Sequence, residues 1–392
     1  MNIRLRTRAF ATAAFALTSL WACSDAPEPV APPLDLPRAD SYWSNQGNQN
    51  PFKVYTQNAY LGGDTGPLFT LDFSDIPAVI AATTTFWNQV QASDIPERAA
   101  AIVDEIEAYR PHVAALQEVV RFAVVDARTG GLLGGADILG SIQAEIATRG
   151  LPYEVVRVQQ NTNITLPLSA DAAGLTTALN VTDQDAVLRR TDVVVTSSDK
   201  GTFDARVILP TGDEFTRGWI RLTTQWHGVS YNVVATHLEV QAFADKQADQ
   251  LDELMGVMSD LDGVTILAGD LNSDAAGQPG DPSWTATYGD LRDAGFADAW
   301  EDSGQPAYDP GYTCCQATDL LNGSSQLNQR LDLVLVRGAG INTEGRLPGS
   351  SQVEIVGDRQ ADRTPTDGLW PADHAGLMAG LALPSGLNAT SN

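Results

Sequence analysis

From Phe52 to about Leu383, short runs of Val, Ile, Leu and Thr alternate with stretches of helical periodicity, and no second linker interrupts them. Helices interleaved with strands must cover sheet faces, which restricts such a chain to an α/β architecture. "FKVYTQNAYL" (52–61), "HVAALQE" (112–118), "TDVVVTS" (191–197), "RGWIRLTTQW" (217–226) and "VSYNVVATHL" (229–238) read as strands. So do Val264–Ala268, "LDLVLV" (331–336), "VEIV" (353–356) and "AGLMAGLAL" (375–383). His227-Gly228 is the turn between two of them. Asp94 with Pro96 opens a helix whose apolar face is Ile95, Ala99, Ile102, Val103, Ile106 and Tyr109. Further helices are expected over Asp137–Arg149, stopped by Gly150, over Ala242–Leu261, and near 288–300. In the second of these, Phe243, Leu251, Leu254, Met255 and Met258 face the core. Hairpins combined with crossovers predict a mixed-sheet α/β sandwich, a single domain over 51–384.

The flanks have a different character. Arg4, Arg6 and Arg8 precede the apolar run Phe10–Ala22, too short to span a bilayer but suited to a signal peptide over 1–22. Leu20-Trp21-Ala22-Cys23 resembles a bacterial lipobox, in which Cys23 becomes the lipidated first residue, although Trp21 is an unusual occupant. Residues 23–50 are Pro-rich and aperiodic, a flexible tether, and 385–392 read as a disordered tail. The expected location is outside the cytoplasm, either in the bacterial cell envelope as a lipoprotein or secreted. Two adjacent cysteines, Cys314 and Cys315, would then meet an oxidising compartment. Such a pair closes only a strained eight-membered ring, so free thiols and a reducible disulfide both stay open. It is a poor metal site without further thiols or histidines nearby, and it reads as structural.

Charge narrows the partners. With 24 basic against 49 acidic residues the net charge is −25, and no basic stretch follows the N-terminus. That disfavours broad adhesion to a polyanion, which needs clustered Lys and Arg, but leaves room for an enzyme whose metal screens one phosphate.

"VTILAGDLNSD" (264–274) by itself is a strand entering a polar turn. The pattern recurs, however. Asn58, Glu118, His237, Asp270, Asn272 and Asp332 each stand at or just past the end of an apolar strand, and Asp373-His374 opens the last one. Ligand sites of α/β folds gather where strand ends meet. Carboxylates suit Mg²⁺ while leaving coordination places for water and phosphate, and imidazole moves protons near neutral pH. Together these side chains point to attack of water on a phosphoester. No Gly-x-Ser-x-Gly elbow, His-Glu-x-x-His helix or phosphate-cradling Gly-rich loop supports another hydrolase class. His112 and His227 read as structural.

In order along the chain, "TQNAYLGGD", "AALQEV", "VVATHLE", "ILAGDLNSD", "QRLDLVLV" and "PADHAGL" resemble the motifs of the endonuclease/exonuclease/phosphatase family. The resemblance spans about residues 52–383 and implies a deoxyribonuclease-I-like four-layer α/β sandwich of two packed mixed β-sheets. It also implies roles. Glu118 would be the principal metal ligand, with Asn58 and Asp373 near the metal, which would be Mg²⁺, with Mn²⁺ or Ca²⁺ as alternatives. Asp270 would hold or activate the attacking water, and Asn272 would hydrogen-bond phosphoryl oxygens. His374 would transfer a proton at the phosphate with Asp332 orienting its ring. His237 would donate to a phosphoryl oxygen or the leaving group. Asp64 in "LGGD" is divided between a loop turn and an acid close to the metal, and Arg330 reads as a strand-capping surface residue.

The expectation is therefore an exported, metal-dependent phosphoesterase acting on nucleic acid, phospholipid or a small phosphate ester, with a lipid anchor to the membrane and no protein partner implied. "THL" stands where apurinic-site endonucleases have Tyr-x-Pro-Asn, and the Pro-Ala-Trp-Cys-Asp-Arg signature of inositol polyphosphate 5-phosphatases is absent. "THL" with a final "DH" is shared by secreted nucleases and bacterial sphingomyelinases, so a nonspecific nuclease and a lipid phosphodiesterase remain the two alternatives. Ala375-Gly376 departs from the usual Asp-His-x-Pro ending and bears on substrate. A catalytically inactive binding lipoprotein would predict lost motif residues, and the principal ones are all present.

Overall fold

The structure is a computed structural model that describes residues 51–209, 212–303, 305, 309–338, 347 and 351–382. The expectations for the signal peptide, Cys23, the tether and the C-terminal tail lie outside the described residues. None of the described helices is long and apolar enough to cross a membrane.

Two large sheets carry the fold. The first contains β1 (Phe52–Asn58), β2 (Val113–Gln117), β3 (Arg121–Asp126), β4 (Leu132–Asp137), β5 (Tyr153–Asp171) and β6 (Gly174–Arg190). The chain then crosses to the second sheet with β7 (Val194–Thr202), passes the small hairpin β8 (Val207–Ile208) and β9 (Glu214–Phe215), and adds β10 (Gly218–Trp226) and β11 (Val229–His237). β12 (Val264–Asp270), β13 (Ala297–Asp298) and β14 (Asp332–Arg337) complete that sheet, and β15 (Gln352–Val356) and β16 (Gly376–Leu381) return to the first. The orders are β15-β16-β1-β2-β6-β3-β4, with β5 alongside β6, and β13-β14-β12-β11-β10-β7. The β1–β2 and β11–β12 pairs are parallel and the other pairs among the described strands are antiparallel, so both sheets are mixed.

Period-two alternation sorts the strand side chains into layers. Phe52 and Val54 of β1 meet Tyr231, Val233, Ile266 and Val334 between the sheets. Tyr55 faces the opposite way, into a layer with Leu68 of the short helix α1 (Gly66–Phe69), Phe86 of α2 (Ile76–Ala92), Ile102 and Ile106 of α3 (Ile95–Tyr109), and Ile142 of α4 (Ile138–Thr148). Val234, Leu267 and Leu333 cover the outer face of the second sheet with Leu251 and Leu254 of α5 (Ala244–Val257) and Leu291 of α6 (Thr287–Asp293). The result is the expected four-layer α/β sandwich with two packed mixed sheets.

Caps behave as the sequence predicts. Asp94 accepts from the Glu97 amide at the start of α3, Asp137 accepts from the Gly140 amide at the start of α4, and Gly150 follows α4 at φ 62°. Other boundaries need correction. The helix expected near 288–300 is broken: Gly295 (φ 87°) ends α6, and two residues of β13 intervene before the single turn α7 (Ala299–Asp302). α5 is shorter than Ala242–Leu261 and follows a 3₁₀ turn at Gln241–Phe243. β7 begins three residues later than the expected "TDVVVTS" strand.

Strand register decides where the polar residues end up. His237 of β11 pairs with Asp270 of β12, and Asp270 with Asp332 of β14, so three polar side chains stand abreast at one end of the second sheet. Asn58 pairs with Gln117 at the corresponding end of β1 and β2, immediately before Glu118. Gly269 permits the close approach just ahead of Asp270, because a Cβ there would overlap the carbonyl oxygen of Thr236.

Candidate active site

The two strand-end rows meet through Asn58. Its Nδ2 donates to Glu118 Oε1 and to Asp270 Oδ2, both at 3.0 Å, joining the first sheet to the second. Its Oδ1 accepts from the Tyr60 amide at 3.0 Å, while Glu118 Oε2 accepts from the Leu61 amide at 2.9 Å. Glu118 and Asn272 both adopt left-handed backbone (φ 53° and 47°), a conformation that costs a Glu more than an Asn and that concentrates at functional sites.

Asp270 is the hub. Buried to 1% exposure, its Oδ1 accepts from the Asn272 amide at 2.9 Å, and its Oδ2 lies 3.5 Å from His237 Nε2 and 4.0 Å from His374 Nδ1. Burial raises its pKa, and Asp332 adds to this against the lowering effect of His374. Asn272 anchors its own amide on the Leu238 carbonyl at 3.0 Å.

The two histidines are set to opposite states. His374 Nδ1 donates to Asp332 Oδ2 at 2.7 Å, and Asp332 is itself held by its amide donating to Thr313 Oγ1. Burial favours the neutral ring, but Asp332, Asp270 and Asp373 outweigh it and carry the His374 pKa well above the usual histidine value. His237 receives a hydrogen bond on Nδ1 from Arg217 Nη1 at 2.9 Å. That fixes Nδ1 as acceptor and places the proton on Nε2, facing Asp270. Burial and the Arg217 charge drive its pKa well below the ordinary value. One imidazolium and one neutral Nε2–H donor thus flank the same carboxylate.

The anionic side is undercompensated. Asp373 Oδ1 is buried with no hydrogen-bond partner, and its pKa rises to about 7 from burial first and Glu118 among its neighbours. An orphaned buried carboxylate oxygen beside a second acid is the donor set that a hard divalent cation satisfies, so Glu118 and Asp373 fit a metal. Asn58, expected beside it, turns its Nδ2 donor to Glu118 and spends Oδ1 on the Tyr60 amide, and so orients the ligand rather than the ion. Asp270, Asp332 and His374 also bring ligand atoms within 4.8 Å of one another, but there the imidazole proton already occupies the Asp332 oxygen.

Of the residues singled out in the sequence, Asn58, Glu118, His237, Asp270, Asp332 and His374 form this one network, with Asn272 and Asp373 at its edges. Asp64 does not join it: the side chain is exposed and its Oδ1 accepts from the Gly66 amide at 2.8 Å. Arg330 is not a surface cap. It is 1% exposed, with Nη1 on Asp298 Oδ2 at 2.6 Å and Nη2 on Glu301 Oε1 at 2.8 Å. Asp274, a turn residue, organises the same loop by accepting from the Ala276 and Arg330 amides.

Sequence reasoning missed two arginines. Arg217 also lies 3.5 Å from Asp183 and 3.6 Å from Glu239, both buried acids. Arg98, 1% exposed, donates to the carbonyls of Ala59, Tyr60 and Pro371 and so clamps the loop after β1 to the "PADH" segment. Its position in α3, three residues after Ile95 and four before Ile102 and so on the apolar stripe, was the available signal.

No curated protein sequence matches the chain. Among solved structures, an endonuclease/exonuclease/phosphatase from Beutenbergia cavernae is 20% identical, covers 86% of this chain and 72% of its own, and superposes with a TM-score of 0.50. A family protein from Leptotrichia buccalis is 14% identical over 84% of this chain and 99% of its own, with a TM-score of 0.47. D. rerio TDP2 humanised by 14 mutations is 15% identical over 84% and 98%, with a TM-score of 0.48. The model of the endonuclease/exonuclease/phosphatase family matches residues 87–374. The chain belongs to the endonuclease/exonuclease/phosphatase family, whose members hydrolyse phosphoester bonds.

Proposed function

We propose that the protein is an exported, divalent-metal-dependent phosphodiesterase. The observation that carries this reading is the pairing of a buried His374–Asp332 dyad with the Asn58–Glu118–Asp270 bridge at one junction of the two sheets. Glu118 and Asp373 would hold Mg²⁺ or Mn²⁺, with Asn58 orienting Glu118, and the ion would neutralise phosphoryl charge. The remaining work falls to the chain. Asp270, whose pKa is raised, orients the attacking water and accepts its proton as the new P–O bond forms. His374, held protonated by Asp332, presents Nε2–H to a phosphoryl oxygen. His237 donates from Nε2 to a phosphoryl oxygen or to the leaving oxygen as its bond to phosphorus breaks. The Asn272 amide supplies a further neutral donor.

The Arg4–Arg6–Arg8 and Phe10–Ala22 pattern supports export, and Leu20–Cys23 supports lipidation at Cys23. The net charge of −25 favours a compact phosphodiester over a long polyanion held at many phosphates. The purified full chain, incubated with Mg²⁺ or Mn²⁺ and separately with plasmid DNA, RNA, sphingomyelin, phosphatidylcholine or inositol phosphates, is expected to cleave a phosphodiester and to stop on addition of EDTA. Cleavage of lipid but not DNA selects the lipid phosphodiesterase, and the converse selects the nuclease. Turnover of none of these with either metal contradicts the proposal.

A further inference from the structure

From the sequence, Cys314 and Cys315 lack a third ligand. The fold supplies one. The segment runs beside the strand end that carries His374: Cys314 forms an antiparallel bridge with His374, the Ala375 amide donates to the Thr313 carbonyl at 2.7 Å, and the Gln316 amide donates to the Asp373 carbonyl at 2.7 Å. Cys315 Sγ is thereby set 3.9 Å from His374 Nε2. Both sulfurs and a ring nitrogen of His374 lie within 4.8 Å of one another. Nδ1 is committed to Asp332, so Nε2 is the nitrogen free to bind a ligand. Cys314 is buried, whereas Cys315 is half-buried and leaves a route from solvent.

In the structure the two cysteines are joined as a vicinal disulfide. We propose that reduction of this pair opens a soft-metal site made of Cys314 Sγ, Cys315 Sγ and His374 Nε2, whose occupation by Zn²⁺ or Cd²⁺ withdraws His374 from hydrolysis. The effect on hydrolysis rests on the reading of His374 as a catalytic group; the metal site itself does not. Two thiolates and an imidazole suit a tetrahedral ion with water in the fourth place, and they reject Mg²⁺, which takes oxygen ligands. The two metals are therefore sorted by ligand softness across a single histidine. The chemistry balances with a dithiol reductant: the S–S bond accepts two electrons and two protons to give two thiols, and the reductant closes to its own disulfide. Metal binding then releases three protons, one from each thiol and the Nε2 proton of the His374 imidazolium, and takes the Nε2 lone pair so freed while Nδ1–H stays on Asp332. While the disulfide is intact the sulfurs have no thiolate to offer, so the oxidised enzyme is indifferent to the soft ion.

The test uses the full chain carrying Cys23→Ser, so that the pair holds the remaining thiols. It is reduced with a dithiol, freed of reductant, and titrated with Cd²⁺ in saturating Mg²⁺, following thiolate-to-cadmium charge-transfer absorbance and hydrolysis of bis(p-nitrophenyl) phosphate. The expected result is a charge-transfer band with at least about a ten-fold loss of rate, at Cd²⁺ levels that leave the oxidised chain unaffected. Adding Cys315→Ser should abolish the band and the Cd²⁺ sensitivity while Mg²⁺-supported hydrolysis persists. Should that variant not fold, slowed iodoacetamide alkylation of the reduced pair by Cd²⁺ reports the site in its place. No band and no protection, or equal inhibition of reduced and oxidised chains, overturns the proposal, and a band with an undiminished rate overturns its claim on His374. An oxidised chain inactive with Mg²⁺ would instead count against the phosphodiesterase reading, with the band still deciding whether the metal site exists.

Discussion

The Nδ1 of His374 donates to Oδ2 of Asp332 across 2.7 Å, between residues 42 positions apart in the chain and both buried. The aspartate fixes the ring and supplies the largest force holding it protonated against burial. Asp332→Asn keeps the shape and removes the charge. The rate should fall by about two decades, and the alkaline limb of the pH–rate profile should move to lower pH, because a histidine with a smaller upward shift loses its proton earlier. An unchanged profile would mean that His374 does not act as the cation.

Arg217 should act through His237. Arg217→Lys retains a cation beside Asp183 and Glu239 but loses the rigid fork that fixes Nδ1 as acceptor. The fold should survive by circular dichroism while kcat drops about ten-fold and ring-nitrogen NMR shows a mixture of His237 tautomers. A single tautomer with normal kcat would make Arg217 purely structural.

Arg330 bears on stability rather than chemistry. Arg330→Met leaves the carboxylate of Asp298, fully buried, with the Tyr288 hydroxyl at 2.8 Å and the Trp300 amide at 2.9 Å as its hydrogen-bond donors. Denaturant unfolding should show a loss of about 3–5 kcal/mol, the usual consequence of stranding a buried charge.

His112 supplies a pH signature outside the site. It accepts from the Lys53 amide on Nδ1, and burial, with Arg190, Lys53 and His227 opposing the proton and Asp192 favouring it, pushes its pKa down to about 3. The unfolded state takes a proton near its ordinary value while the folded state does not. This contribution is therefore complete above the unfolded pKa and is lost as pH falls from there toward about 3. The unfolding free energy of wild type minus that of His112→Leu should rise by about 1 kcal/mol per pH unit between pH 4 and 6. A flat difference would show that His112 protonates freely in the folded protein.

The site was legible because each of its residues stands at or beside the end of an apolar strand, and the strand ends of two parallel pairs converge. Asp270 and Asn272, which alone look like a turn, acquire meaning from His237 and Asp332 in the flanking strands. What escaped the sequence is of two kinds. Irregular elements blur periodicity: the β5–β6 hairpin shifts register at Val155/Arg157, Gln160/Asn163 and Pro167/Ser169, so no clean alternation survives, and Gly295 divides what reads as one helix. Long-range charge pairing is the other. Arg98, Arg217 and Arg330 look like surface cations until the fold buries them against carbonyls and acids distant in the chain, and Cys315 has no ligand until β16 brings His374 beside it.

The central claim is that His374 and a divalent metal together drive phosphodiester hydrolysis. It is tested most directly by the rate of bis(p-nitrophenyl) phosphate hydrolysis by wild type and His374→Ala, each with Mg²⁺ or Mn²⁺ and with EDTA. Wild-type hydrolysis should vanish with EDTA, and the substitution should remove at least about two decades of the metal-supported rate with the fold intact. A wild-type rate indifferent to EDTA, or a His374→Ala rate equal to wild type, would contradict the account.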